Sequence, residues 1–504
     1  MSKSSVILLI SGLAVLFVTI GGIIYGKDEN KDLSGWLVNN RRMGPILVWF
    51  LLGTEIYTAF TFEGLAGFGY AKGAPAFYNV ALNDVAYAIG FMILPAFWLI
   101  GKKFHHVTQA DFISDRYQSK GFGVFVALTS ALIMIAYIDL NIEGLAAIVQ
   151  VVGHGAVSTD VSDIIGFLVL ALAVFFGGIR GNAWQSMIKD ILMFVAIAAL
   201  FIVVPLHYFG GFGNMFSEFV TKIPKHLVMP GVSKKLGIPW LVTTVLVTGV
   251  GQWMWPQWFG IAYTARGGRT LKLQAVFMPL YQLVKVAVIT IGLAAVIILG
   301  FSKHINGNNV VMMLALKTFP LWFIIVFTIA AIYSAIVPAG PIVMTSASLL
   351  VRNVYQVLNP RFSNQMAYLW IKILVFPLTI LALILTLVAP SLIVNVLLVA
   401  YDFISQLFPA VVVGGLFWKR ATKEGAISGI LVGWIISAVM VLTNHDPYLG
   451  VNAGFYALVG NFVVFYIVSL VTRPVDQTYL KQFLASAFPK TTSTCFVSSE
   501  NVSD

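Results

Sequence analysis

Two glutamates lie inside a long apolar stretch, GTEIYTAFTFEGLAG, from Gly53 to Gly67. A carboxylate at the centre of a bilayer costs on the order of 3 kcal/mol, so such residues are usually retained for function. Glu55 falls where glycine and threonine favour an unwound helix, and there it could carry a proton or bind a cation. It could equally act as a structural cap for freed backbone donors. For Glu63, a gating role and a structural role remain open.

The composition is typical of a membrane protein. Of the 504 residues, 59% are hydrophobic and only 10% are charged, and the mean hydropathy is +0.91. A soluble domain carries about 25% charged residues. The net charge of +11 is explained by basic residues gathered in cytoplasmic loops, so no nucleic-acid partner is predicted. The single cysteine, Cys495, excludes a disulfide framework and a cysteine-based metal site. No set of nucleophile, base and oxyanion donors is present, so neither an enzyme nor a cofactor is expected.

The apolar windows predict an all-α polytopic protein with thirteen transmembrane helices. A helix needs about 20 apolar residues to cross a bilayer. The windows are 5–26, 44–70, 77–101, 122–152, 162–178, 187–207, 238–262, 273–300, 318–348, 366–388, 391–417, 424–443 and 450–472. Most basic residues then fall on one side, which predicts a plasma-membrane protein with its N-terminus outside and its C-terminus in the cytoplasm.

The order of the windows allows two five-helix halves of opposite topology. Residues 1–473 are predicted to form one transmembrane domain, with inverted repeats over about 44–207 and 238–417. One extra helix precedes the repeats and two follow them. The polar tail, 474–504, is predicted to be cytoplasmic and disordered. Inverted repeats of this kind bind solute near the midplane, where the first helix of each half is broken.

Glycine and proline interrupt the predicted first helix of each half. The first half has Gly53 and Thr54, and the second has Gly249, Gly251 and Pro256 in TGVGQWMWPQWFGIAY. These interruptions point to a solute site, although glycines also permit close helix packing. A small carboxylate would need hydrogen-bond donors and aromatic side chains at this site. The candidates are Thr54, Thr58, Thr61, Asn141, Gln252, Trp255 and Gln257.

The window 318–348 carries two prolines, Pro338 and Pro341, in AIYSAIVPAGPIVMTSAS. Proline removes a backbone donor, so the pair is predicted to expose carbonyl groups to a cavity. A plain proline kink is the alternative.

Several segments resemble the sodium:solute symporter family. GGIRGNAWQSMIKDILM (177–193) is similar to the family's loop into core helix 5, and FPAVVVGGLFWKRATKEGAISGILVG (408–433) is similar to its late-helix signature. LVWFLLGTEIYTAFTFEG (47–64) and FMPLYQLV (277–284) resemble a bacterial monocarboxylate permease branch. The resemblance implies a LeuT-like 5+5 inverted-repeat fold and cation-coupled uptake of a small organic solute, lactate or pyruvate for this branch. A sodium-driven carrier of proline or pantothenate, or a channel or sensor on the same fold, is the alternative.

The resemblance also implies a sodium site, and here the sequence departs from the family. Family members bind sodium between backbone carbonyls of core helix 1, here at Ile56, and two adjacent hydroxyl residues of core helix 8. Those hydroxyl positions hold Val337 and Pro338, with Ser334 one turn earlier. Ser186 stands where core helix 5 often supplies an aspartate.

Lys189 follows Ser186 by one turn and offers a substitute for sodium. Its ammonium group could stand where a sodium ion would sit, and its proton could then be the transported cation, because desolvation disfavours a charged lysine. The alternative is an interfacial pair with Asp190 that reaches the cytoplasm. Na⁺ and H⁺ both remain candidates for the coupling ion, and the oligomeric state is open.

Overall fold

The computed structural model describes residues 3–26, 32–153, 158–302, 304–388 and 393–488, and these are helical throughout apart from turns and isolated bridges. The helices before residue 230 are α1 (Lys3–Gly26), α2 (Leu33–Val38), α3 (Pro45–Thr54), α4 (Leu65–Lys72), α5 (Tyr78–Phe104), α6 (Gln109–Arg116), α7 (Lys120–Val152), α8 (Thr159–Phe209), α9 (Phe212–Lys222) and α10 (Pro224–Leu227). Those after it are α11 (Ile238–Gly251), α12 (Pro256–Thr264), α13 (Gly268–Phe277), α14 (Tyr281–Ile298), α15 (Val310–Thr318), α16 (Leu321–Ser348), α17 (Gln356–Leu358), α18 (Asn364–Val388), α19 (Ile393–Ile404), α20 (Lys423–Leu442), α21 (Ala453–Val471) and α22 (Gln477–Ala487). Three π-helical stretches join them at Phe60–Gly64, Leu349–Tyr355 and Pro409–Phe417.

Ten helical segments in the described chain are long and apolar enough to cross a membrane. The predicted windows 44–70 and 238–262 are instead pairs of shorter helices, α3 with α4 and α11 with α12. Window 162–178 lies in the first part of α8, which bends at Gly178 because this residue adopts a φ of 73°. The all-helical prediction is confirmed, whereas the count of thirteen crossings stays a prediction.

Small residues let α4 and α14 approach closely. A Cβ on Gly292 of α14 would collide with the carbonyl oxygen of Ala66 and lie 3.1 Å from its Cα. At the next residue of α4, a Cβ on Gly67 would collide with the backbone of Gly307. Close backbone approach of this kind drives helix association in lipid, where apolar burial alone gives little.

We expect Gly292→Ala to lower stability by about 1–3 kcal/mol, because the added methyl group overpacks a backbone contact. The measurement is the midpoint of thermal unfolding in detergent, followed by size exclusion. Gly12→Ala is the matched control, since a Cβ at Gly12 meets nothing within 4 Å. Equal midpoints for the two variants would contradict the packing argument.

The chain beyond residue 474 is ordered for part of its length, which corrects the prediction of disorder. Residues Gln477–Ala487 form α22, whose Leu480 and Phe483 are buried. Phe483 packs against Phe104 of α5 at 5.1 Å and against Phe112 at 5.7 Å between ring centroids. The polar composition of the tail gave no signal of this apolar face, which is buried against the C-terminal end of α5 and against α6. Residues 489–504 lie outside the described residues.

The α16 helix continues through Pro338 and Pro341, so neither proline interrupts it. Pro341 has no N–H for the carbonyl of Val337, four residues earlier. The side chain of Asn182 on α8 donates to this carbonyl instead, at 2.7 Å. A neighbouring helix therefore satisfies the freed group, as is common for proline in membrane helices.

We expect Asn182→Ala to destabilise the protein by about 1–2 kcal/mol, because the Val337 carbonyl would be buried without a donor. The thermal midpoint in detergent measures this. Asn214→Ala, at an exposed position of α9, is the control and should leave the midpoint unchanged. A similar small shift in both variants would show that the Asn182 bond contributes nothing.

Candidate functional site

Both predicted helix breaks are present, and one hydrogen bond joins them. The α3 helix ends at Thr54, and residues 55–58 are non-helical before the π-helical stretch. The α11 helix ends at Gly251, and Trp255 has an extended backbone before α12 begins at Pro256. Gln257 Nε2 of α12 donates to Glu55 Oε2 at 3.2 Å. The two interruptions therefore lie side by side in the protein interior.

Lys189 of α8 binds the end of the broken α3 helix. Its Nζ donates to the carbonyl of Tyr57 at 2.7 Å and to that of Thr54 at 3.3 Å, and it lies 2.8 Å from Asp190 Oδ1. Lys189 has no exposed surface, and Asp190 is also buried. The alternative of a pair that reaches the cytoplasm is therefore wrong. An ammonium group has three donors, and here carbonyls left at the helix end and one carboxylate accept them.

Two tyrosines that the sequence reasoning missed complete this cluster. The hydroxyl of Tyr281 on α14 donates to Asp190 Oδ2 at 3.0 Å. The hydroxyl of Tyr57 donates to the carbonyl of Tyr281 at 3.3 Å, and the centroids of the two rings are 4.4 Å apart. The sequence indicated these tyrosines only by their position in the motifs IYTAF and FMPLYQLV. The Lys189–Asp190 pair is thus fixed from both sides and neutral overall.

Glu55 is buried with one oxygen uncommitted. Oε2 accepts from Gln257, whereas Oε1 has no hydrogen-bond donor among the described residues. Its backbone carbonyl accepts from the hydroxyl of Tyr137 on α7 at 3.4 Å. The Tyr137 ring packs on Trp255 at 4.8 Å, and Trp255 packs on Tyr401 of α19 at 5.6 Å. A carboxyl group and three aromatic rings therefore border the two breaks.

The other predicted solute-binding residues fall into two groups. Gln252 accepts from the Tyr401 hydroxyl at 2.6 Å, while Thr54 Oγ1, Asn141 Oδ1 and Gln257 Oε1 are buried without partners in the described structure. These groups remain available to a bound molecule.

Thr58 and Thr61 are occupied by the backbone instead. Thr58 Oγ1 accepts from the N–H of Phe60 at 3.2 Å, and the Thr61 hydroxyl donates to the carbonyl of Ile56. Both threonines therefore stabilise the unwound stretch.

The oxygen atoms of the residues predicted from the family's sodium site take part in hydrogen bonds within the protein. The hydroxyl of Ser186 donates to the Asn182 carbonyl at 2.8 Å, and that of Ser334 to the Ala331 carbonyl at 2.7 Å. The carbonyls of Ile56 and Val337 already accept from Thr61 and Asn182. Pro338 lies within the continuous α16.

Glu63 is isolated. Its two carboxyl oxygens are buried and have no donor in the described chain. The carboxyl group lies against Gly144 of α7, where a Cβ would stand 3.3 Å from Oε2. A lone ionised carboxylate is costly in such surroundings, so this position suits a neutral acid.

Comparison with known proteins identifies the relatives of this fold and site. Residues 36–433 match the sequence model of the sodium:solute symporter family. The chain is 33% identical to the uncharacterized symporter YhjB of Bacillus subtilis, over 93% of this chain and 98% of the relative. It is 28% identical to a monocarboxylate transport permease protein of Rhizobium johnstonii, over 84% and 85%.

The fold is also that of a solved transporter. A Na⁺-coupled sialic acid symporter in a substrate-bound outward-open state superposes with a TM-score of 0.77 at 18% identity, over 95% of this chain and 99% of that one. The fold is therefore the LeuT-like fold, and the chain is a multi-pass membrane transporter rather than an enzyme. By the match over most of its length, the chain belongs to the sodium:solute symporter family.

Proposed function

We propose that this symporter imports a short monocarboxylate, such as lactate or pyruvate, together with protons. The observation that supports the proposal best is the position of Lys189. Its ammonium group binds carbonyls at the break of α3, the kind of oxygen that binds sodium in the family. The ammonium group thus stands where the family's sodium ion would bind, and its proton is the coupling ion that we propose.

The same contacts give a route for coupling. While Lys189 is protonated, it joins α8 to the end of α3 through two carbonyls and pairs with Asp190. Loss of the proton would remove the ion pair and weaken the carbonyl bonds. The protonation state of Lys189 would thereby shift α3 between two arrangements, since a bound ion acts only through its different affinity for each.

Glu55 would link the proton to the solute. An ionised carboxylate at this position would repel a carboxylate solute, whereas a protonated one would not. Its free oxygen, the uncommitted groups of Thr54, Asn141 and Gln257, and the ring of Trp255 suit a small solute with few polar groups. Alternating access would then move the proposed halves, about 44–207 and 238–417, around this centre.

Lys189→Gln tests the coupling ion. We expect purified wild-type protein in liposomes to take up labelled lactate under an inward proton gradient alone, and Lys189→Gln to reduce this uptake at least tenfold. The matched control is Lys222→Gln, because Lys222 is exposed and forms a salt bridge with Glu218 of its own helix. Uptake that requires a sodium gradient and is unaffected by Lys189→Gln would contradict proton coupling.

Glu55→Gln tests the link between proton and solute. Glutamine resembles a protonated glutamate, so we expect lactate exchange between the two sides of the liposome to persist. Net uptake should lose its rise at acidic external pH, which wild-type protein should show. The measurement is exchange and net uptake between pH 5.5 and 8.0. If exchange is lost as well, Glu55 acts as a structural cap.

A sodium-driven carrier of another solute, such as proline or pantothenate, is the second candidate. The match to a family named for sodium coupling favours it. Uptake of either solute under a sodium gradient, with no uptake of monocarboxylates, would establish it. A channel would show solute flux without gradient-driven accumulation of the solute. A sensor would show no solute flux.

A further inference from the structure

A cavity with polar and apolar walls lies away from the helix breaks, at the predicted outer face. It has a volume of about 370 Å³, at the lower end of the range for small-molecule sites. Its walls come from α4, α11 and α19, together with the segment before α11 and the loop between α20 and α21. We call it the outer vestibule. Since α4 and α11 are the outer parts of the two broken helices, the vestibule lies on the way to the site between them.

Aromatic rings form the inner wall of the vestibule. Phe68 of α4 and Trp240 of α11 are both buried, and their ring centroids are 6.5 Å apart. Phe68 lies about two turns from Thr61, and Trp240 lies three turns from Gln252. Both rings lie on half-helices that run from the vestibule to the breaks, so we expect a solute to pass them on its way to Glu55.

The charge of the vestibule favours an anion. Lys72, at the end of α4, and Lys235 both line it, and neither has a carboxylate within 4 Å among the described residues. The opposing charge is Asp446, one of whose oxygens accepts from the N–H of Ala453 at 3.0 Å. Asn395 and Ser233 add neutral hydrogen-bonding groups. Lys235 interacts electrostatically with Asp446, so its charge is partly offset, and Lys72 leaves the cavity with a net positive charge.

We propose that the outer vestibule is an additional binding site for a small carboxylate, which Lys72 and Lys235 bind before it passes Phe68 and Trp240. The identity of the solute rests on the function proposed above. Because both lysines are at least partly exposed, each contributes a weak and salt-sensitive attraction. Such a site raises the local concentration of an anion at the mouth of its path.

Transport kinetics test the role of the lysines. We expect Lys72→Gln and Lys235→Gln each to raise the KM for lactate about two- to fivefold with little change in the maximal rate. Asp446→Asn should lower the KM, because it removes the competing carboxylate while keeping an acceptor for Ala453. Lys234→Gln is the matched control, since Lys234 is exposed beside Lys235 but does not line the vestibule. An unchanged KM in the first two variants, with normal wild-type uptake, would overturn the proposal.

Thiol labelling tests binding without transport. Cys495 is the only cysteine, so Cys495→Ser gives a background for Ser233→Cys in the vestibule. We expect lactate to slow labelling of this cysteine by a methanethiosulfonate reagent, and not to slow labelling of Lys234→Cys. Equal labelling rates with and without lactate would refute the site. Protection by lactate in a protein that does not transport it would refute only the proposed function.

Discussion

The central constraint on this structure is the contact between one buried ammonium group and the carbonyls of a broken helix. Unwinding α3 at Thr54 leaves backbone acceptors in a protein interior within the membrane, where water cannot satisfy them. Lys189 satisfies two of these acceptors and is itself neutralised by Asp190. The break in α3 and the buried Lys189–Asp190 pair are therefore parts of one interaction.

One face of α8 donates hydrogen bonds to freed backbone carbonyls of two neighbouring helices. Asn182, Ser186 and Lys189 are spaced at helical intervals of four and three residues, so they lie on the same face. Lys189 donates to the end of α3, and Asn182 donates to the carbonyl of Val337 that proline frees in α16. Ser186, which lies between them on this face, donates to the Asn182 carbonyl of its own helix.

Local chemistry in the sequence was enough to predict the helix breaks and most helical segments. Glycine, threonine and proline at Gly53, Thr54 and Pro256 specify interruptions through backbone preferences that depend little on distant residues. The continuity of α16 could not be predicted this way, because the donor that rescues it is 155 residues away in the chain. The carbonyl partners of Lys189 and the contact of Tyr281 with Asp190 likewise depend on packing between separate helices. The α22 helix was missed because its apolar face is short and surrounded by polar residues.

The bond between Glu55 and Gln257 has a mechanical consequence. It links the two broken helices at the points where each has lost its internal hydrogen bonds and is easiest to bend. A displacement of α3 therefore pulls on α12 through this bond, and the reverse holds as well. The half-helices α3 and α12 are therefore coupled mechanically, and we expect a movement of one to be accompanied by a movement of the other.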